Sequence, residues 1–204
     1  MRKNTKAIAW DFDGVLNRNV IGGRFVWSET LEEDLGIPVK DFQEGIFNRT
    51  FMQVISGKTD LKVHVRDWLC RQGHPHTADS ILNYWFAKDD LQDPLTCGLV
   101  ERLRLTGIRQ VVATNNEHHR TTYIERTSGF SDRVDRVFSS GRIGHAKPDA
   151  AFFQHVSTSL GLPPEDMLLI DDSSANIAAA RSLGWDGFHF TEETRTELAS
   201  FLGL

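Results

Sequence analysis

Two aspartate pairs, Asp11 with Asp13 and Asp171 with Asp172, each stand directly after a short apolar run. Asp11-Phe-Asp13-Gly14 closes Ala7-Ile-Ala-Trp10, and Asp171-Asp172-Ser-Ser closes Met167-Leu-Leu-Ile170. In extended backbone alternate side chains share a side, so Asp11 and Asp13 can face one pocket, and Gly14 permits a tight turn after them. Carboxylates held so close repel unless a cation or a shared proton compensates. A hard ion such as Mg2+ suits an all-oxygen ligand set and keeps waters and phosphate oxygens in its shell. Thr114-Asn115 ends a third apolar run, where a hydroxyl and backbone N–H groups at a helix start can cradle a phosphate. Lys147, in Gly144-His-Ala-Lys-Pro-Asp149, offers the cation that an acidic pocket needs to hold an anion. Each feature alone has an ordinary alternative: a surface acidic pair, a helix cap, a Thr/Asn turn, a solvated lysine. Their shared position at the ends of apolar runs favours one common site.

The apolar runs at 6–10, 108–113, 136–138 and 167–170 are predicted as buried strands. Helical patterns separate them at 94–106, 149–160 and 174–183, stopped by Gly107, Gly161 and Gly184. Strands alternating with helices predict an α/β fold: a Rossmann-like parallel sheet with helices on both faces. Ligands in such sheets sit beyond the carboxyl ends of the strands, so Asp11, Thr114 and Asp171 are expected to converge. Residues 19–90 break the pattern. Their amphipathic segments at 30–35, 41–51, 61–71 and 77–86 include no convincing buried strand. They predict a small α-helical cap inserted into a core of residues 1–18 and 91–204.

The chain has 204 residues, 40% apolar and 25% charged, with a net charge of -5, which suits a soluble globular protein. The acidic balance gives no overall attraction to a polyanion, so nucleic acid is not an expected partner. No apolar run is long enough for a signal peptide or a membrane span, and a cytoplasmic protein with no membrane partner is expected. Two cysteines, Cys70 and Cys97, form neither a disulfide framework nor a metal motif and are expected to be packing residues.

Asp11-Phe-Asp13-Gly-Val, Thr114-Asn115, Lys147-Pro148 and Leu169-Ile-Asp171-Asp172-Ser-Ser-Ala-Asn176 together resemble the four ordered motifs of the haloacid dehalogenase superfamily. The resemblance covers about residues 6–18 and 94–190, and the insertion has the position of that family's helical cap. The wording is similar to the subgroup of sugar-phosphate phosphatases and the phosphatase domain of soluble epoxide hydrolases. The resemblance implies a Mg2+-dependent hydrolase of a small phosphorylated metabolite, with an aspartyl phosphate formed on Asp11. Asp13 would protonate the leaving alcohol and then activate water. Thr114 and the Asn115 amide would bind phosphoryl oxygens, and Lys147 would balance charge. Mg2+ would be held by Asp11, the backbone carbonyl of Asp13 and a fourth-motif carboxylate. Asp172 is preferred there, with Asp171 behind it; Asn176 would orient Lys147 or the loop, or be an ordinary helix residue. An acid at position 13 argues against halide displacement, since a halide leaves without a proton. Alternatives are a phosphosugar mutase of the same fold, a haloacid dehalogenase-like enzyme, and a non-catalytic binding protein.

Other residues invite a role but have plainer explanations. His118-His119 is expected to be a solvated helix start, and His74 and His76 to lie in a cap loop. His145, two residues before Lys147, could touch substrate, but solvent is the simpler expectation. Trp27, Trp68, Trp85, Phe47, Phe51 and Phe86 are expected as cap core rather than a substrate platform. Arg18, Arg24 and Arg49 could reach a second anionic group, with surface charge expected for at least two.

Overall fold

The computed structural model describes residues 1–2, 4–21 and 24–204. The strands in chain order are β1 (Ala7–Trp10), β2 (Val20–Ile21), β3 (Arg24–Phe25), β4 (Arg109–Thr114), β5 (Arg136–Ser139), β6 (Met167–Asp171) and β7 (Asp186–His189). All but β2 and β3 form one parallel sheet in the order β5-β4-β1-β6-β7. The chain leaves β1 for one side of the sheet, then crosses to the other at β6. That reversal beside β1 is where open α/β sheets bind ligands.

Helices α1 (Leu31–Leu35), α2 (Val39–Ile46), α3 (Phe51–Ile55), α4 (Leu61–Gln72) and α5 (Ala78–Lys88) lie between β3 and β4. Between and after the later strands come α6 (Pro94–Arg104), α7 (His118–Arg126), α8 (Ser140–Ile143), α9 (Ala150–Leu160), α10 (Ser174–Ser182) and α11 (Leu198–Leu202), with α6 ahead of β4. Alternation along β1 sets the two layers. Ile8 and Trp10 pack with Leu99, Val100 and Leu103 of α6, Ile124 of α7, and Leu198 and Leu202 of α11. Ala7 and Ala9 face the other way, and their small side chains leave room for Phe152, Phe153 and Val156 of α9 and Ile177 of α10. Caps fix the helix starts: Asp93 precedes Pro94 of α6, Asp149 caps α9, and Ser173 caps α10.

The helical stretch builds a hydrophobic cluster of its own, from Trp27 and Leu31 through Phe42, Val65 and Trp68 to Ile81, Trp85 and Phe86. Where the chain enters and leaves this stretch, its two crossings are laced together. The Arg18 amide donates to the Leu91 carbonyl, and the Asp93 amide to that of Leu16.

Several expectations need correction. The helix anticipated at 41–51 is two helices, because the Asn48 side chain donates to the Gly45 carbonyl and accepts from the Thr50 amide, turning the chain between them. The strand β7 was missed because Asp-Gly-Phe-His has no apolar run; it lies at the sheet edge with Gly187 close against Ile177. The exposed two-residue pairing of β2 with β3 is likewise too short for a pattern. Cys70 is exposed rather than packed, and only Cys97 is half-buried. No helix among the described residues is long and apolar enough to cross a membrane.

Candidate active site

Parallel register sets the site. Trp10 is level with Val112 of β4 and Ile170 of β6, so the next residue, Asp11, emerges between the ends of both neighbours. The Asp11 amide donates to the Ile170 carbonyl, which holds the end of β1 against β6. Carboxylate oxygens of Asp11, Asp171 and Asp172 all lie within 4.8 Å of one another. Remote stretches of the sequence thus place three acids at one point.

Lys147 enters this cluster from the loop after α8, its side chain fully buried. Its Nζ donates to Asp171 Oδ2 at 2.6 Å and lies 3.0 Å from Asp11 Oδ1. Asp171 is the most heavily engaged of the three acids: its other oxygen accepts from the Ser173 amide and from Asn176 Nδ2, both at 2.9 Å. Asn176 therefore orients Asp171 rather than contacting Lys147. Asp172 is exposed at the rim. Gly14 has φ +80, and a methyl group there would collide with the Asp172 carboxylate.

The charges do not balance. Burial first, then the Asp171 charge, raise the Asp11 carboxyl well above its ordinary value, even with Lys147 pulling it down. Asp172 is pushed up to about 6 by partial desolvation and then by Asp171. Burial alone would lower Lys147, but the carboxylates of Asp11 and Asp171 outweigh it and hold the ammonium above its usual value. Three carboxylates against one ammonium leave a negative surplus, all oxygen in character, which suits a hard divalent cation.

Asp13 stands apart from the three acids. Its Oδ2 accepts from Asn116 Nδ2 at 2.8 Å, and its Oδ1 from Asn19 Nδ2 at 2.8 Å and Asn17 Nδ2 at 3.3 Å. Asn116 Nδ2 also donates to Thr114 Oγ1 at 2.8 Å, tying Asp13 to the end of β4. Behind this lies a buried network. Asn19 Nδ2 reaches Asp89 Oδ1, Asn17 Nδ2 the Asp89 carbonyl, and Arg120 Nη2 Asp89 Oδ2 at 3.0 Å. The Asn115 side chain donates to the Lys147 carbonyl and accepts from its amide, both at 2.8 Å, so it fixes the backbone that aims the lysine. Asn17, Asn19, Asp89, Asn116 and Arg120 were not anticipated. Asn17 and Asn19 did leave a signal, as asparagines at alternate positions shortly after Asp-x-Asp-Gly.

The other candidates lie elsewhere. His145 Nδ1 pairs with Asp149 and is exposed, and Arg18 pairs with Glu192. His119 Nε2 is 2.8 Å from Asp60 Oδ2, so it bridges α7 to the start of α4 rather than standing free in solvent. Trp27, Trp85, Phe47, Phe51 and Phe86 do pack in the helical stretch, yet the same rings also line a cavity whose floor includes Asp13.

The chain resembles known proteins over most of its length. The sesquiterpene phosphatase of Aspergillus oryzae is 24% identical over 200 residues, 97% of each chain. The drimenol cyclase of Aspergillus calidoustus is 39% identical over 71 residues, 34% of this chain but 13% of that longer one. A HAD family enzyme of Bacteroides thetaiotaomicron, solved with magnesium and inorganic phosphate, shares the fold with a TM-score of 0.75 at 20% identity, covering 95% of this chain and 98% of that one. The model of the haloacid dehalogenase-like hydrolases matches residues 5–184, a span from before Asp11 to beyond Asn176. With its motifs in order at adjoining strand ends, this chain belongs to the haloacid dehalogenase-like hydrolase family.

Proposed function

We propose that the protein is a Mg2+-dependent phosphomonoester hydrolase that works through an aspartyl phosphate on Asp11. The observation that carries this reading is the crowding of three carboxylates within 4.8 Å beside one buried ammonium. Asp11, Asp172 and the backbone carbonyl of Asp13 would hold the ion; Asp171, already engaged by Lys147, Ser173 and Asn176, would stand behind them. The bound ion would neutralise the negative surplus and polarise a phosphoryl oxygen.

In this reading an Asp11 oxygen attacks phosphorus as the ester P–O bond breaks, and Asp13 gives its proton to the departing alcohol oxygen. The Asp13 carboxylate then takes a proton from the water that attacks the aspartyl phosphate, which releases phosphate and restores Asp11. Thr114 and the Asn115 amide would donate to the phosphoryl oxygens, and Lys147 would offset charge on Asp11 and the transferring group. Residues 19–90 would act as a cap that keeps bulk water from the intermediate. A reduced cytosolic setting belongs to this reading, since Cys70 and Cys97 are free thiols. The acid at position 13, held by three asparagines, supports phosphate over halide chemistry.

Release of p-nitrophenol from p-nitrophenyl phosphate with Mg2+ tests the proposal. Asp11→Asn should lower kcat at least about a thousandfold, as expected for loss of a nucleophile. An Asp11→Asn protein as active as the parent would leave the reading without a nucleophile.

A further inference from the structure

The cavity beside Asp13 holds about 140 Å³ and lies between the core loops and the helical stretch. Its walls are Phe25, Trp27, Phe47, Phe51, Trp85 and Phe86. The rings brace one another: Trp27 stacks on Trp85 at 5.1 Å, while Phe47 meets Trp85 and Phe51 edge-on at 5.3 and 4.8 Å. Such a surface is rigid and apolar before any ligand arrives.

Its polar groups lie on the core side and are engaged with one another. Asp13 is taken up by Asn116, Asn17 and Asn19; Arg120 binds Asp89 and the Phe86 carbonyl; Glu117 accepts from the first amides of α7. Arg120 is the one Lys or Arg side chain among the described residues lining this cavity, and its guanidinium also lies 5.3 Å from the rings of Phe86 and Tyr123. A sugar or a second phosphate would bury its polar atoms against aromatic rings, with no unengaged cation to meet them.

We propose that the substrate is a phosphate monoester of an apolar alcohol, an alkyl or isoprenyl chain whose first carbons fill this cavity. The inference rests on the reading of Asp13 as the proton donor, because the group that Asp13 protonates must leave into the space beside it. A cavity of about 150 Å³ accommodates benzene, so the inner cavity suits a group of roughly that size. A longer chain has a way out, since Phe25, Trp27 and Phe47 also border an open groove of about 440 Å³ that runs past Ser28, Gln43 and Glu44. Phe25 stands at the junction, 45% exposed.

Phosphate release by the full chain with Mg2+, measured on geranyl phosphate, decyl phosphate, glucose 6-phosphate, GMP and phosphoglycolate, tests this. The two apolar esters should exceed each polar one at least tenfold in kcat/KM. In Phe25→Glu, altered at an exposed position, KM for geranyl phosphate should rise about tenfold. Decylphosphonate, which cannot be hydrolysed, should change the tryptophan fluorescence through Trp27 and Trp85. Turnover of a polar ester equal to or above the apolar ones overturns the apolar-substrate inference and leaves the hydrolase reading intact. No phosphate from any ester, with decylphosphonate still bound, sinks the hydrolase reading instead.

Discussion

Asn116 uses one amide group to hold two participants of the proposed reaction, donating to Asp13 Oδ2 and Thr114 Oγ1. Without it the Asp13 carboxylate keeps only the two asparagines on its other oxygen and can rotate away from the leaving group. Positioned proton transfer contributes roughly 10²–10⁴-fold, and loss of positioning forfeits part of that. Asn116→Ala should therefore lower kcat about 10- to 100-fold with KM changed less than about threefold. Steady-state kinetics on p-nitrophenyl phosphate decides; a pure KM effect would mean that Asn116 serves binding only. Lys147 illustrates the same logic from the charge side. It lies between Asp11 and Asp171, and the Asn115 side chain anchors its backbone, so its aim is set by a residue that sequence reasoning credited only with a backbone amide.

At the scale of elements, the problem is to join a helical stretch to a sheet without losing the geometry beside Asp13. The fully buried Asn17 does much of this, donating to the Asp89 carbonyl at 2.6 Å and accepting from the Leu91 amide at 2.7 Å. The outgoing and returning chain are thereby fastened to each other one turn away from Asp13. Asn17→Ala strips the Leu91 amide of its partner and leaves the Asp89 carbonyl to Arg120 alone, a loss of about 1–3 kcal/mol in all. Urea unfolding should show that loss, and hydrogen exchange at the Leu91 amide should speed up more than exchange in β1. Equal protection of both amides in the variant would show that Asn17 does not join the crossings. Further contacts hold the helical stretch over the core. Ser140 Oγ donates to the Ile55 carbonyl, His119 meets Asp60, and Gly57 packs so close to the Gly141 carbonyl that no side chain fits there.

Two of the places where the molecule buries charge each give a measurable dependence on conditions. The Asp89 carboxyl is pushed up to about 7, first by burial and then by the charge of Asp13, against the pull of Arg120 and Asn19. Its folded value thus lies above the ordinary 3.8. Its contribution to stability is whole below about pH 4 and is lost as pH rises through about 7, because the unfolded chain gives up this proton first. In Asp89→Asn that segment of the stability curve should flatten, by a few kcal/mol at most over the window. Urea unfolding in steps from pH 4 to 8 measures it, and parallel curves for both proteins would refute the assignment. The second place is the triad of Asp11, Asp171 and Asp172. A cation that neutralises it binds the folded chain alone, so Mg2+ at about a hundred times its Kd should add about 2.7 kcal/mol. For a chain of this size that is roughly 5–10 °C in Tm. EDTA should reverse the rise, and Asp172→Asn should lose most of it; an unchanged melt with Mg2+ would argue against an ion there.

The sequence by itself determined four of the five strands of the sheet, their parallel sense and the meeting of Asp11 with Asp171 and Asp172, because each apolar run carries its polar terminus along with it. Strand ends that are neighbours in a parallel sheet bring their terminal residues together whatever lies between them. Tertiary structure alone decided which acid is most engaged by neighbouring donors, what surrounds Asp13, and what the aromatic rings of the helical stretch face. Asn19 and Asp89 meet although 70 residues separate them, and Arg120 reaches Asp89 across 31. No local pattern encodes such pairings, since polar side chains find partners only once packing has brought distant segments into contact. The same holds for Trp27, Trp85 and Phe47: their aromatic side chains are expected to pack in the helical stretch, but only the packed chain shows that their rings also wall the cavity beside Asp13.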